Sequence, residues 1–190
     1  MLEALMTNKL EYKKLSKEEM QRRGILGRLV GIIADTTAPT RNGRQYEREL
    51  WERVFNNPVM KEKIQNKVCF CELGHPEGRL EIDMERACAQ LAEVPKIGPD
   101  GKLRAVIDIL STPCGQILDT ICRYGSTVGI SSRGEGDLIT DQYGNEKVDP
   151  DTYNCETFDI VVVPAIKSAR LQYVTESLDT NNDKTLNEAL

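Results

Sequence analysis

The sequence predicts a β-rich α+β domain in which most strands run antiparallel and a few helices flank them. Three observations lead there. Apolar runs of strand length recur at residues 28–34, 102–110 and 158–163. Helical spacing is confined to short stretches between such runs. The 190 residues, 39% of them hydrophobic and 29% charged, suffice to bury the core of one domain.

Taken in order, Leu2, Leu5 and Met6 recur at helical spacing, and Ser16 followed by Glu19 is a capping-box match for a short second helix. Residues 1–24 are expected as a charged helical leader, 25–178 as the folded domain and 179–190 as a polar, frayed tail. The run 28–34 reads as a buried strand, and Pro39 with Asn42-Gly43 marks the loop after it. Leu50, Trp51, Val54 and Phe55 predict a helix over 46–55, stopped by Asn56-Asn57-Pro58. Residues 67–73 read as a strand running into Gly74-His75-Pro76, while 82–94 fit helix or strand equally. Pro99-Asp100-Gly101 makes a hairpin turn before the strand 102–110. Thr112 then caps a helix with Pro113 at its first position; Ile117, Leu118, Ile121 and Cys122 line one face, and Gly125 ends it. Residues 138–151 are turn-rich and polar, and 158–163 form the most apolar strand, ending at Pro164.

A net charge of −5 argues against a nucleic-acid partner, which calls for a basic face. No run of about 18 apolar residues exists, so no membrane partner is expected, and residues 1–10 are too polar for a secretory signal. The six cysteines lack zinc-knuckle spacing and read as reduced thiols of a cytosolic compartment. Cys69-Phe70-Cys71 followed by His75 is a fragment of a metal site that lacks its second half. Neither metal nor cofactor is expected.

The chemistry centres on Gly129-Ile130-Ser131-Ser132-Arg133-Gly134-Glu135-Gly136, a short β-like run that breaks into glycines after two serines. A turn there would hold a serine hydroxyl beside converging backbone N–H groups, which is what acyl transfer needs. Taken alone, the octet equally describes a strand ending in a Ser/Gly turn. The chain has one histidine, so any imidazole that serves as base for a serine must be His75. Gly74 and Pro76 give it a tight exit from a strand. A third group that orients the imidazole must then be a carboxylate. Asp159 is the candidate because it interrupts an otherwise apolar strand, where a charge needs a partner; it could also point outward at an edge or pair with a base. Glu72, Glu77 and Asp83 are nearer His75 in sequence but read as surface charges.

Together these pieces resemble the prohead core proteases of tailed bacteriophages, particularly the myovirus branch, a family similar in fold to the herpesvirus maturation proteases. Four stretches carry the resemblance: Asn42-Gly43-Arg44-Gln45-Tyr46, Glu72-Leu73-Gly74-His75-Pro76, Thr112-Pro113 with Gly115 leading into a helix, and Gly129-Ile130-Ser131-Ser132-Arg133-Gly134. The resemblance implies a barrel-like antiparallel sheet. It implies a serine endopeptidase with His75 and Ser131 as catalytic pair, Ser132 shaping the turn, and Asp159 in the third place, where the herpesvirus relatives use a second histidine. Backbone N–H groups over Ser132, Arg133 and Gly134 would serve the oxyanion. The choice between Ser131 and Ser132 stays open.

The resemblance further implies cleavage after Glu in a Leu/Ile-x-Glu context. The partners implied are the scaffold or core proteins and the major capsid protein, with the chain itself as a further substrate, inside the assembling prohead in the cytoplasm of the infected cell. Self-association is open to it, since the herpesvirus relatives dimerise. Leu186-Asn187-Glu188 offers such a site in the tail, whereas Leu50-Trp51-Glu52 and Leu91-Ala92-Glu93 fall in segments expected to be folded. Two other readings compete. One is a non-catalytic core or scaffold component with the same fold. The other is a cysteine hydrolase using Cys114 or Cys122 with His75, Cys114 lying near a helix N-terminus that lowers a thiol pKa.

Overall fold

β1 (Ile25–Asp35) is the spine of the fold in the computed structural model, which describes residues 15–174. It pairs antiparallel with β5 (Lys102–Leu110) on one side and β10 (Arg170–Val174) on the other. The sheet continues from β5 to β3 (Ala87–Leu91) and β2 (Phe70–Glu72), and from β10 to β6 (Val128–Glu135) and β9 (Asn154–Val161). A short β4 (Lys96–Ile97) adds to β5. The two ends meet: Leu73 bridges Ile160, and the Gly74 N–H donates to the Ile160 carbonyl at 2.8 Å. The antiparallel sheet is therefore a nearly closed barrel, as expected of a β-rich α+β chain, and closure removes the exposed edges of an open sheet.

Alternation along each strand decides what goes inside. Leu29, Ile107, Ile109, Ile130 and Phe158 are fully buried in one core. α2 (Arg48–Asn56) lays Trp51 and Phe55 against Phe158, with ring centroids 5.7 and 6.1 Å away. α3 (Pro58–Gln65) adds Met60 and Ile64 to that core. This second helix was not expected. Asn57, read as part of a stop signal, caps it by accepting from the Val59 N–H at 2.9 Å, and Pro58 takes its first position. The residues that end one helix start the next. α1 (Lys17–Arg22) carries the expected cap, Ser16 accepting from the Glu19 N–H.

Other elements resolve where the pattern was silent or ambiguous. Residues 82–94 form a short 3₁₀ turn (Met84–Arg86) and β3. The polar stretch 138–151 holds a small hairpin of β7 (Leu138–Thr140) and β8 (Glu146–Val148), and β10 follows the Pro164 segment. The apolar run 158–163 is a strand only to Val161; Val162 and Val163 are exposed. The expected leader helix around Leu2, Leu5 and Met6, and the tail with Leu186-Asn187-Glu188, lie outside the described residues. No helix among the described residues is long and apolar enough to cross a membrane.

α4 (Pro113–Arg123) shows how a motif becomes a contact. Thr112 accepts from the Gly115 N–H at 3.1 Å and donates to the Ala87 carbonyl, tying the helix start to β3. Leu118 and Cys122 face the barrel, whereas Ile117 and Ile121, expected on the same face, are rotated about 100° away and exposed. A Cβ on Gly115 would sit 1.9 Å from the Leu110 carbonyl oxygen. That obstacle is backbone and cannot swing aside. Gly115→Ala is therefore expected to cost more than about 2 kcal/mol, read as a lowered denaturant midpoint with the slope unchanged.

Candidate active site

β6 does not turn at its serines. It pairs with β9 from Gly129 to Glu135, with one register shift between Arg133 and Gly134. The expected turn over Ser132, Arg133 and Gly134 is thus a strand, because the ladder to β9 satisfies its backbone; the bulge at the register shift puts its extra residue, Glu156, on β9 and leaves Gly134 paired. Gly129 serves close approach, since a Cβ there would lie 2.6 Å from the Pro164 ring.

The register separates the two serines. Ser131 is paired directly with Asp159 and Ser132 with Phe158. Paired residues share a face, so Ser131 stands on the outer wall with Asp159, and Ser132 on the inner face with Phe158, against the Tyr153 hydroxyl. The backbone alternates as well. The Ile130 N–H reaches across to the Ala169 carbonyl on the side away from β9. The Ser132 N–H points the same way, beyond the end of the β10 pairing at Gly129, while the Arg133 N–H points into the β9 ladder.

Asp159 is completely buried on the outer wall, where the segment 73–86 covers it and Arg133, a base of the kind its burial calls for, pairs with it. Its Oδ2 meets His75 Nδ1 at 2.9 Å. Its Oδ1 accepts from Arg133 Nη2 at 3.0 Å and from the Glu72 N–H at 3.1 Å. A carboxylate only accepts, so this contact selects the tautomer of a neutral imidazole that carries its proton on Nδ1 and its lone pair on Nε2. Gly74, at φ +86°, makes the turn that carries His75 from β2 over Asp159. Ser131, Ser132 and His75 line one open cleft, together with Arg41, Arg44, Tyr46 and Pro164. No hydrogen bond joins the serine to the imidazole; such bonds often tighten only when substrate is bound.

Glu72 corrects the expectation of a surface charge. It is fully buried, and its carboxylate accepts from Arg79 at 2.8 and 2.9 Å, from Arg133 at 3.0 Å and from the Asp83 N–H at 2.8 Å, with Arg86 Nε 3.4 Å away. Arg133, expected at an oxyanion turn, lies buried on the outer wall between two carboxylates, under the segment 73–86, where its Nη1 donates to the Glu81 carbonyl. The alternation of Cys69 and Cys71, both buried, puts Glu72 on the opposite face. Nothing in the local sequence says that this outer face is covered too.

The two thiols of the competing cysteine reading, Cys114 and Cys122, lie away from this cleft. Burial pushes the Cys122 thiol up to about 11, and Cys114 Sγ donates to the Glu85 carbonyl. Among the described residues no three potential ligands are grouped to hold a metal ion.

A nearly closed antiparallel barrel with this cleft on its outer wall has the fold of a capsid protease. It superposes on the bacteriophage T4 capsid assembly protease, gp21, with a TM-score of 0.58 at 22% identity, over 72% of this chain and 79% of that one. The chain belongs to the prohead core protein serine protease family, whose description fits residues 6–180. No curated protein matches the sequence.

Burial opposes ionisation of Glu72, but the hydrogen bonds from Arg79, the Asp83 N–H and Arg133 outweigh it and hold the carboxyl at about 2, below its ordinary 4.5. The folded state therefore binds this proton more weakly than the unfolded chain. The stability it supplies is complete above pH 4.5 and is lost as the pH falls toward 2. Denaturant midpoints measured across that window should fall, and should fall less steeply in Glu72→Gln.

Proposed function

We propose that this protease is a serine endopeptidase of phage head maturation, with Ser131 as nucleophile, His75 as general base and Asp159 as the orienting carboxylate. One observation carries the assignment: Asp159 is hydrogen-bonded to His75 at 2.9 Å and is the direct cross-strand partner of Ser131. His75 Nε2 takes the Ser131 proton as Oγ bonds to the scissile carbonyl carbon, and Asp159 stabilises the imidazolium. Nε2–H then protonates the leaving amine as the C–N bond breaks, and water repeats the sequence to release the acyl half. The Ser132 N–H at the open edge of β6 is the candidate oxyanion donor; the Arg133 side chain is committed to Glu72 and Asp159.

The cleft also bears on the substrate. Arg41 donates through Nε to the Pro164 carbonyl at 3.0 Å. Among the described residues no carboxylate pairs with Arg44, which lines the same cleft. A guanidinium without a carboxylate partner in the cleft that Ser131 lines favours an acidic substrate side chain. That supports cleavage after Glu in a Leu/Ile-x-Glu context, the preference implied by the resemblance. The T4 neighbour's role in capsid assembly supports scaffold and capsid proteins as substrates, cut inside the assembling prohead, with the chain's own Leu186-Asn187-Glu188 as a further site.

Peptides carrying Leu-x-Glu test this by mass spectrometry. Cleavage after Glu is expected in wild type, is expected to fall at least ~1,000-fold in Ser131→Ala and His75→Ala, and is expected to persist in Ser132→Ala. Activity that survives in Ser131→Ala would overturn the assignment. Arg44→Gln should narrow the preference for Glu over Gln peptides by about tenfold, mainly through KM; an unchanged ratio would remove Arg44 from substrate recognition.

A further inference from the structure

One buried charge has no part in the mechanism above. Glu72 makes no contact with the cleft, yet its carboxylate and its backbone N–H both bear on the groups behind His75. The charges behind the imidazole form a short chain. Asp159 meets Arg133 at 3.0 Å, and the same Arg133 nitrogen meets Glu72 at 3.0 Å. All three side chains are 3% exposed or less, so water does little to screen them.

Consider this chain without Glu72. Arg133 would then be a buried cation whose only carboxylate partner is Asp159. The Asp159 charge would be spent on the guanidinium, and an imidazolium at His75 would face a nearly neutral pair. With Glu72 in place, Arg133 is shared between two carboxylates, and these three buried groups together carry one net negative charge beside His75. Geometry acts in the same direction. The Glu72 N–H and Arg133 both hold Oδ1, which leaves Oδ2 as the oxygen presented to Nδ1.

We propose that Glu72 is a positioning residue: it neutralises and holds Arg133 so that Asp159 presents Oδ2 and an uncompensated charge to His75. This rests on His75 acting as the general base. Arg79 and Arg86 also contact Glu72, but they are 31% and 47% exposed, and solvent weakens their pull on it. The remaining charges near the imidazole, Arg41, Arg44, Glu77, Glu81 and Glu135, are exposed and screened by salt.

The single histidine makes the test direct, because every imidazole resonance in the proton NMR spectrum comes from His75. The full chain carrying Ser131→Ala, to prevent self-cleavage, is titrated with and without further substitutions. In Glu72→Gln the imidazole midpoint is expected about one pH unit lower. In Arg133→Gln it is expected higher by a similar amount, and in the double variant close to the parent. The acid limb of kcat/KM in the Ser131 enzyme should move with these midpoints. Midpoints unchanged in both single variants, or a double variant displaced further than either, would overturn the proposal. Should Glu72→Gln not fold, the upward movement in Arg133→Gln decides alone. The titration needs no turnover, so a wild type that cleaves no peptide counts against the protease mechanism and leaves this result standing.

Discussion

A carboxylate buried on the outside of a barrel is the constraint on which the rest of this structure depends. Asp159 sits in β9 with its side chain directed away from the apolar core, and Arg133 and Glu72 from the two flanking strands converge on it. Leaving such a charge dry and unpaired would cost several kcal/mol. Burial here is tolerable because each oxygen has partners and because the segment 73–86 folds back as a cover held by Arg79, Arg86 and the Asp83 N–H. The same cover carries His75. Closing the barrel between β2 and β9, satisfying Glu72 and placing the imidazole over Asp159 are thus one structural event.

This arrangement explains why Ser131, the proposed nucleophile, faces outward. A barrel interior this small is filled by side chains, here Ile130, Phe158 and their neighbours, and has no room for a polypeptide substrate. Alternation along β6 sends Ser131 to the outer wall and Ser132 to the inner face, half-buried, so a one-residue change of register would exchange them. The bulge opposite Arg133 and Gly134 lies beyond both serines and leaves that choice intact. Pro164, packed on Gly129, lines the same cleft as Ser131.

Much of this was legible in the sequence, and the parts that were not share a cause. Strands β1 and β5 and helix α4 follow from periodicity and caps that act locally. His75 was singled out by being alone, and Asp159 by interrupting an apolar run; both signals survive without knowledge of the fold. Glu72 was misread because its burial comes from a covering segment that strand alternation cannot show. The turn expected at Ser132, Arg133 and Gly134 was misplaced for a related reason, since glycine permits a turn but pairing with β9 decides against it. α3 was hidden because Asn57 and Pro58 stop one helix and start another with the same chemistry.

The central claim is that Ser131, activated by His75, is the nucleophile of this protease. The most direct measurement is to treat the full chain with a serine-directed phosphonylating probe and locate the adduct by peptide mapping. The account predicts one adduct, on Ser131, that is absent in His75→Ala. An adduct on Ser132 or on a thiol, or peptide cleavage that continues while Ser131 is fully modified, would contradict it.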